Sequence, residues 1–249
     1  MPKIRLDEFL QEKGYCSSIK DALGIILAGE VFKDGKRLDK PGILIDIESI
    51  ISINLKKKYV SRGGEKLEKA LQEFKPDIEN KIAIDVGSSS GGFSDCLLKN
   101  GVIKIYCIDV GYGQLDWVLR NDTRVVLKEK TNIRYLKKEN FKDVIDLAVI
   151  DVSFISLKKV IPVVSDILKP HGEIIALIKP QFEVEPKKVS KGGVVKDENY
   201  RKEAIDGILD FAEKNNLKNK GVITSPIKGP AGNVEYLCYL VKDNKGHEA

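Results

Sequence analysis

A lysine closes one of the most apolar runs in the chain. Gly172 to Phe182 reads GEIIALIKPQF, with Lys179 directly before Pro180. A lysine at the tip of a core strand must either snorkel to water or be held by partners. A second apolar run, Ile145 to Ser153, carries a carboxylate, Asp151, at its end. An amine and a carboxylate on two strand ends suit proton transfer. Partial desolvation and a nearby cation both lower a lysine's pKa and let it act as a base. Few side chains compete for that role. The two histidines, His171 in a KPHG turn and His247 near the C-terminus, read as bystanders. Cys16, Cys96, Cys107 and Cys238 are scattered without C-x-x-C spacing, so buried free thiols are expected, with neither a metal site nor a disulfide framework.

A third constellation is Val86 to Cys96, VGSSSGGFSDC, immediately after the run IAID. A glycine-rich turn between a first strand and a helix is where doubly wound sheets take nucleotide-like ligands. The spacing here is G-x-x-x-G-G, and its three serines suit a ligand without a pyrophosphate. Asp109 closes the next apolar run 24 positions after Asp85, where an acidic side chain would take a ribose diol. Together these features are the signature of an S-adenosyl-L-methionine-dependent methyltransferase. Asp85, Gly87, Ser88, Ser89, Gly91, Gly92, Phe93, Asp109 and Asp151 are the expected cofactor residues. Asn132, in the EKTNIR loop after the third strand, is assigned to the adenine, with a polar loop of no ligand role as the open alternative.

The elements that must hold these residues follow from periodicity. Runs at 81–87, 104–111, 124–130, 145–153 and 172–180 are nearly continuous in Ile and Val, as in parallel strands covered on both faces. Residues 198–215 read as an amphipathic helix, and GVITSPIKG and NVEYLCYLV as a closing strand pair. The stretch VSRGGEKLEKALQEF, before the first strand, reads as a capped helix with Leu67, Ala70, Leu71 and Phe74 inward. The expected fold is α/β, a Rossmann-like methyltransferase with a doubly wound, mostly parallel sheet.

Residues 1–57 have a different character, and the predicted domains are 1–57 and 58–249. Leu6, Phe9 and Leu10 stripe one short helix; Ser17-Ser18 caps a second bearing Ala22, Leu23, Ile25 and Ile26; Asp34-Gly35 signals a tight hairpin. The pattern RLDEFL…KGYCSSIKDA…ILAGEVFKDGK resembles the S-four-type (αL) RNA-binding fold, against the alternative of a generic α+β cap. Arg5, Lys20, Lys33, Lys36, Arg37, Lys57, Lys58 and Arg62 are the candidate RNA-binding residues. In residues 1–58, 11 Lys and Arg face 9 Asp and Glu, so any RNA face must come from arrangement. The whole chain carries a formal net charge of +5, which permits an acidic partner without requiring one.

The acceptor is narrowed by what is missing. No Pro-Pro-aromatic box follows the fourth strand, as amino-group methylases need, and no cysteine there could attack a pyrimidine ring. Lys66, Asp151, Lys179 and Glu235, in this order, match the Lys-Asp-Lys-Glu set of FtsJ-like ribose 2′-O-methyltransferases. Taken singly, Lys66 reads first as a helix-surface lysine, and Asp151 as a turn cap and Glu235 as an exposed strand residue stay open as alternatives.

Longer matches extend over residues 4–240: YVSRGGEKLEKAL, DVGSSSGGFSDCLLKNG, DVGYGQL, DVSFISL, LIKPQFE, VSKGG and SPIKGPAGNVEYL. The chain resembles the TlyA (hemolysin A) family of ribosomal RNA methyltransferases. The resemblance implies an RNA-binding module, an FtsJ-like domain using S-adenosyl-L-methionine, and cytidine 2′-O-methylation of ribosomal RNA within a ribosomal subunit. Large-subunit RNA is the expected substrate, with small-subunit RNA as a further one. It also implies catalytic roles for Lys66, Asp151, Lys179 and Glu235. A membrane-acting hemolysin and a non-catalytic assembly factor are the rival classes. No apolar run approaches the roughly 20 residues of a membrane span, and the first residues lack a signal-peptide core; a cytoplasmic protein without a membrane partner is expected.

Overall fold

Alternating apolar and turn-forming stretches fold into two compact units, Met1–Lys57 and Lys58–Ala249. The computed structural model describes residues 2–53 and 58–243. In the first unit β1 (Lys3–Arg5), α1 (Leu6–Glu12) and α2 (Ile19–Leu27) precede four short strands: β2 (Val31–Lys33), β3 (Lys36–Arg37), β4 (Leu44–Asp46) and β5 (Ile51–Ile53). Leu6, Phe9 and Leu10 from α1 meet Ala22 and Ile26 from α2, and Val31, Ile45 and Ile51 close the core. Ser18 caps α2 by accepting a hydrogen bond from the Asp21 amide at 3.2 Å. Asp34 and Gly35 have φ of 50° and 75°, the two positive angles that a type I′ turn requires. β2 therefore folds back on β3, and β5 pairs on its other side.

The second unit is built on a seven-stranded sheet. Its helices and strands run α3 (Gly63–Phe74), β6 (Ile82–Val86), α4 (Gly92–Lys99), β7 (Lys104–Ile108), α5 (Trp117–Arg120), β8 (Val125–Lys128), β9 (Ile145–Ile150), α6 (Ile161–Ile167), β10 (Leu168–Ile178), α7 (Glu198–Lys214), β11 (Leu217–Thr224) and β12 (Tyr236–Lys242). Spatial order is β11-β12-β10-β9-β6-β7-β8. β8, β7, β6, β9 and β10 are parallel neighbours, while β12 runs antiparallel to β10 and β11. Strand alternation sends Ile84, Val86, Ala148 and Ile150 toward α6 and α7. Ala83, Leu147 and Val149 face α3 and α4. Both faces are buried, which explains the unbroken apolar runs. The order reverses at β6, and the loops after β6 and β9 open the crevice where such sheets bind ligands.

Three details depart from the periodicity. β10 begins at Leu168, and its register breaks between Leu168 and Glu173, where His171 takes a φ of 58°. β11 starts at Leu217, ahead of the expected GVITSPIKG. α3 has no side-chain cap: its start is a Gly-Gly pair seated on α4, and Ser61 lies where a Gly92 side chain would be, 2.2 Å from that ideal Cβ position.

Candidate active site

The seat of α3 on α4 explains two glycines. A Cβ on Gly64 would come within 2.2 Å of the Tyr59 ring, and one on Gly92 within 2.8 Å of the Gly64 amide. Two helix starts therefore meet backbone to backbone. Asp95 secures the approach by accepting from the Val60 amide at 2.9 Å. Lys66, one turn into α3, is thereby buried beside the glycine loop, and its Nζ donates to Oε2 of Glu235 at 2.6 Å. Glu235 is 1% exposed. The surface-lysine and exposed-strand readings of these two residues do not hold.

Glu235 arrives there through topology. It precedes β12, whose Tyr236 pairs with Ile178 at the tip of β10; the residue that follows β10 is Lys179. Nζ of Lys179 lies 2.6 Å from Oδ1 of Asp151, a close ion pair outside hydrogen-bond alignment, and donates its hydrogen bond to Oγ of Ser153 at 2.8 Å. Asp151 is held by its own amide, which donates to the Val86 carbonyl at 2.9 Å. Both ion pairs, Lys66–Glu235 and Lys179–Asp151, line one cleft of about 310 Å³ with Arg62, Ser88, Phe93 and Pro230.

A second hollow of about 520 Å³ adjoins the first and shares Gly87, Ser89, Asp151 and Ser153 with it. Asp109, Gln114, Asn132 and Val152 line it. Gly87 has φ of 83°, and a Cβ there would approach the Asp151 carbonyl to 2.5 Å; only glycine lets the two strand-end loops pass so closely. Asp109 receives the Ser89 amide on Oδ2 and the Gly111 amide on Oδ1, each at 2.7 Å, so it knits the loops at the edge of this hollow. Asn132 Oδ1 accepts from the Arg134 amide at 3.1 Å; the residue caps its own turn while lining the hollow.

Asp85 departs most from a simple ligand-touching residue. It is fully buried, and Ser94 donates to its Oδ2 at 2.6 Å. Its Oδ1, like the Ser88 hydroxyl, is buried without a hydrogen-bond partner in the protein. Burial pushes the Asp85 carboxyl up to about 7. Such orphaned polar atoms beneath a glycine cradle fit a ligand that brings its own polar groups.

The chain matches the FtsJ-like methyltransferase family over residues 59–242 and the S4 domain over residues 4–51. This chain belongs to the FtsJ-like methyltransferase family. It is 44% identical to "Hemolysin A" of Brachyspira hyodysenteriae, over 96% of this chain and 100% of the relative. It is 38% identical to "16S/23S rRNA (cytidine-2'-O)-methyltransferase TlyA" of Mycobacterium tuberculosis, over 96% and 90% of the two chains. A solved structure of a hemolysin-named protein from Streptococcus thermophilus superposes with a TM-score of 0.74 at 40% identity, over 98% of this chain and 90% of the other. More distant solved structures, S-adenosylmethionine-dependent methyltransferases among them, share the fold alone. Among the described residues no helix is long and apolar enough to cross a membrane.

In this FtsJ-like chain the candidate RNA-binding residues are not one set. Lys20, Lys36 and Arg37 are exposed on the S4 unit, whereas Lys33 donates to Ser49 Oγ at 2.9 Å. Arg5 is half exposed, with its guanidinium donating to Asp7 at 3.0 and 2.6 Å, and that bond holds the Asp7 carboxyl below the usual carboxylate range. Lys58 and Arg62 belong to the methyltransferase unit, where Lys58 pairs with Glu68 and Arg62 lines the cleft. Lys57 lies outside the described residues. Ser153, Gln114 and the close approach of Tyr59 to Gly64 are not evident from the sequence. The Gly-Gly pair opening α3 is the visible signal of that approach, since paired glycines weaken a helix start unless packing needs them.

Proposed function

We propose that this protein transfers a methyl group from S-adenosyl-L-methionine to the ribose 2′-hydroxyl of a cytidine in ribosomal RNA, in the cytoplasm. The observation that carries the reading is the pairing of Lys66 with Glu235 and of Lys179 with Asp151 along one cleft beside the glycine loop. The cofactor supplies an electrophilic sulfonium methyl. Gly87, Ser88 and Asp85 would hold its amino-acid end, Asp109 its ribose and Asn132 its base.

The protein's own part is positioning and proton removal. Lys66, fixed by Glu235, holds the ribose oxygen in line. The hydroxyl proton would pass to the Lys179–Asp151 pair as the O–C bond forms and the methyl's bond to sulfur breaks, the sulfur leaving as a neutral thioether. Orientation is the larger contribution, up to roughly 7–11 kcal/mol for a well-aligned intramolecular attack, against about 10²–10⁴-fold for proton transfer. The S4 unit, with Lys20, Lys36 and Arg37 exposed, serves as the RNA-holding module, and the cytidine-2′-O specificity of the Mycobacterium relative's name is the one we carry over. Mapping ribose methylation in ribosomal RNA from cells with and without this protein tests the reading. Identical maps would refute it.

A further inference from the structure

Pro180 starts a single 3₁₀ turn, Pro180–Phe182, directly after Lys179. The turn is closed by amides of Phe182 and Glu183, which donate to the carbonyls of Lys179 and Pro180. It aims the Glu183 side chain back at the loop that follows β9. There the Ser156 hydroxyl donates to Oε2 at 2.6 Å and the Leu157 amide to Oε1 at 2.8 Å. Ser156 in turn accepts from the Lys158 amide at 3.1 Å and caps the 3₁₀ turn Leu157–Lys159. Burial raises the Glu183 carboxyl above its ordinary range, while these two donors and the Lys158 charge favour its charged form.

The loop so held has an unfavourable backbone. Phe154 takes a φ of 63°, a left-handed angle that a bulky side chain adopts only where its surroundings impose it. Three cross-links span the two strand-end segments in step: Lys179 to Asp151 and Ser153, Phe182 to Phe154 with centroids 5.2 Å apart, and Glu183 to Ser156 and Leu157. The first contains the reacting pair and the second joins two aromatic side chains, one of them 91% exposed. Only the third fixes the backbone itself.

We infer that Glu183 is a positioning residue for methyl transfer, a clamp that holds the Asp151–Ser153 segment opposite Lys179 by accepting hydrogen bonds from Ser156 and Leu157. The inference rests on the proposed 2′-O-methyl transfer. It makes the register between the two strand ends depend on a side chain four residues from the lysine and outside the reaction cleft.

The full chain, S-adenosyl-L-methionine with a labelled methyl, and ribosomal subunits from cells lacking this protein provide the test. Glu183→Ala is expected to lower kcat about 30–100-fold, in the range that an ångström-scale misplacement costs, with a smaller loss of cofactor affinity, because the Asp151–Ser153 segment that the clamp holds also lines the cofactor hollow. Glu183→Gln keeps an acceptor for Leu157 and turns its amide toward the Ser156 oxygen, so it is expected to restore most of the rate. Ser156→Ala removes one of the two bonds and should fall between. Amide exchange of residues 152–158 should quicken in Glu183→Ala and not in Glu183→Gln, whether or not turnover is measured. Wild-type-like turnover by Glu183→Ala, or equal impairment of the alanine and glutamine variants, overturns the clamp. Inactivity of the wild type on every subunit preparation would instead overturn the parent reading, and the exchange experiment would still decide the clamp.

Discussion

The S4 unit and the strand-end crevice use the same unusual conformations for opposite ends. In the S4 unit, Asp34 and Gly35 adopt positive φ to close a hairpin, and Lys20, Lys36 and Arg37 stand on its surface. In the crevice, Gly87, Ser89, Gly91 and Phe154 adopt positive φ where two loops crowd a cavity. Among the described residues, every buried side-chain polar atom without a hydrogen-bond partner belongs to the methyltransferase unit, on Asp85, Ser88, Asp151, Gln181 and Arg201. One region satisfies itself and presents charge. The crevice leaves Asp85 Oδ1 and the Ser88 hydroxyl unsatisfied, a cost in stability that a polar ligand would recover.

The sharpest way to break this contrast is at the Lys179–Asp151 pair. Lys179→Ala is expected to lower methyl transfer by about 10²–10⁴-fold while calorimetry shows cofactor affinity retained; normal turnover would remove Lys179 from the mechanism. Deleting residues 1–55 should act in the opposite sense. Subunit affinity is expected to fall by about tenfold or more as cations that neutralise phosphates are removed, with cofactor affinity unchanged, as read by filter binding at fixed salt. Equal loss of both affinities would mean that the two regions are not functionally separate.

Asp85→Asn tests whether the crevice sacrifices stability for binding. The native carboxyl titrates near 7 against an ordinary value of 3.8, so the folded state binds more protons across that window. Stability is therefore fullest below the ordinary value, declines as pH rises toward 7, and is flat above it. Within the window each pH unit costs about 1.4 kcal/mol. Denaturant titrations at pH 5 and pH 8 should show the asparagine variant gaining relative stability at pH 8, while its cofactor affinity falls. A variant with unchanged pH dependence would show that the burial is harmless. The smallest effect is expected on the S4 surface. Lys36→Ala or Arg37→Ala should reduce the slope of log affinity against log salt by about 0.7–0.9 for each phosphate the side chain neutralises, with no change in melting temperature.

Much of the site was legible as order along the chain. Asp85, the glycine loop, Asp109, Asp151 and Lys179 sit at ends of apolar runs, and strand ends on one edge of a parallel sheet necessarily converge. Hairpin and helix signals in the S4 unit were equally local, because turn chemistry and side-chain period are written within a few residues. What the sequence could not display was commitment. Arg5 looks free until Asp7 is seen to occupy it. Asp85 reads as one more strand-end carboxylate, and nothing local announces its complete burial beneath the loop.

By itself, then, the sequence determined the element types, the parallel core and the Lys-Asp-Lys-Glu order, since each depends on short-range period or position. The tertiary structure alone decided who partners whom. Lys66 meets Glu235 across 169 residues because β12 inserts antiparallel between β10 and β11, and Lys179 meets Ser153 because β9 and β10 are neighbours. Such pairings depend on how distant strands return to one sheet. That choice reflects the summed burial of both faces, and no local pattern of residues carries it.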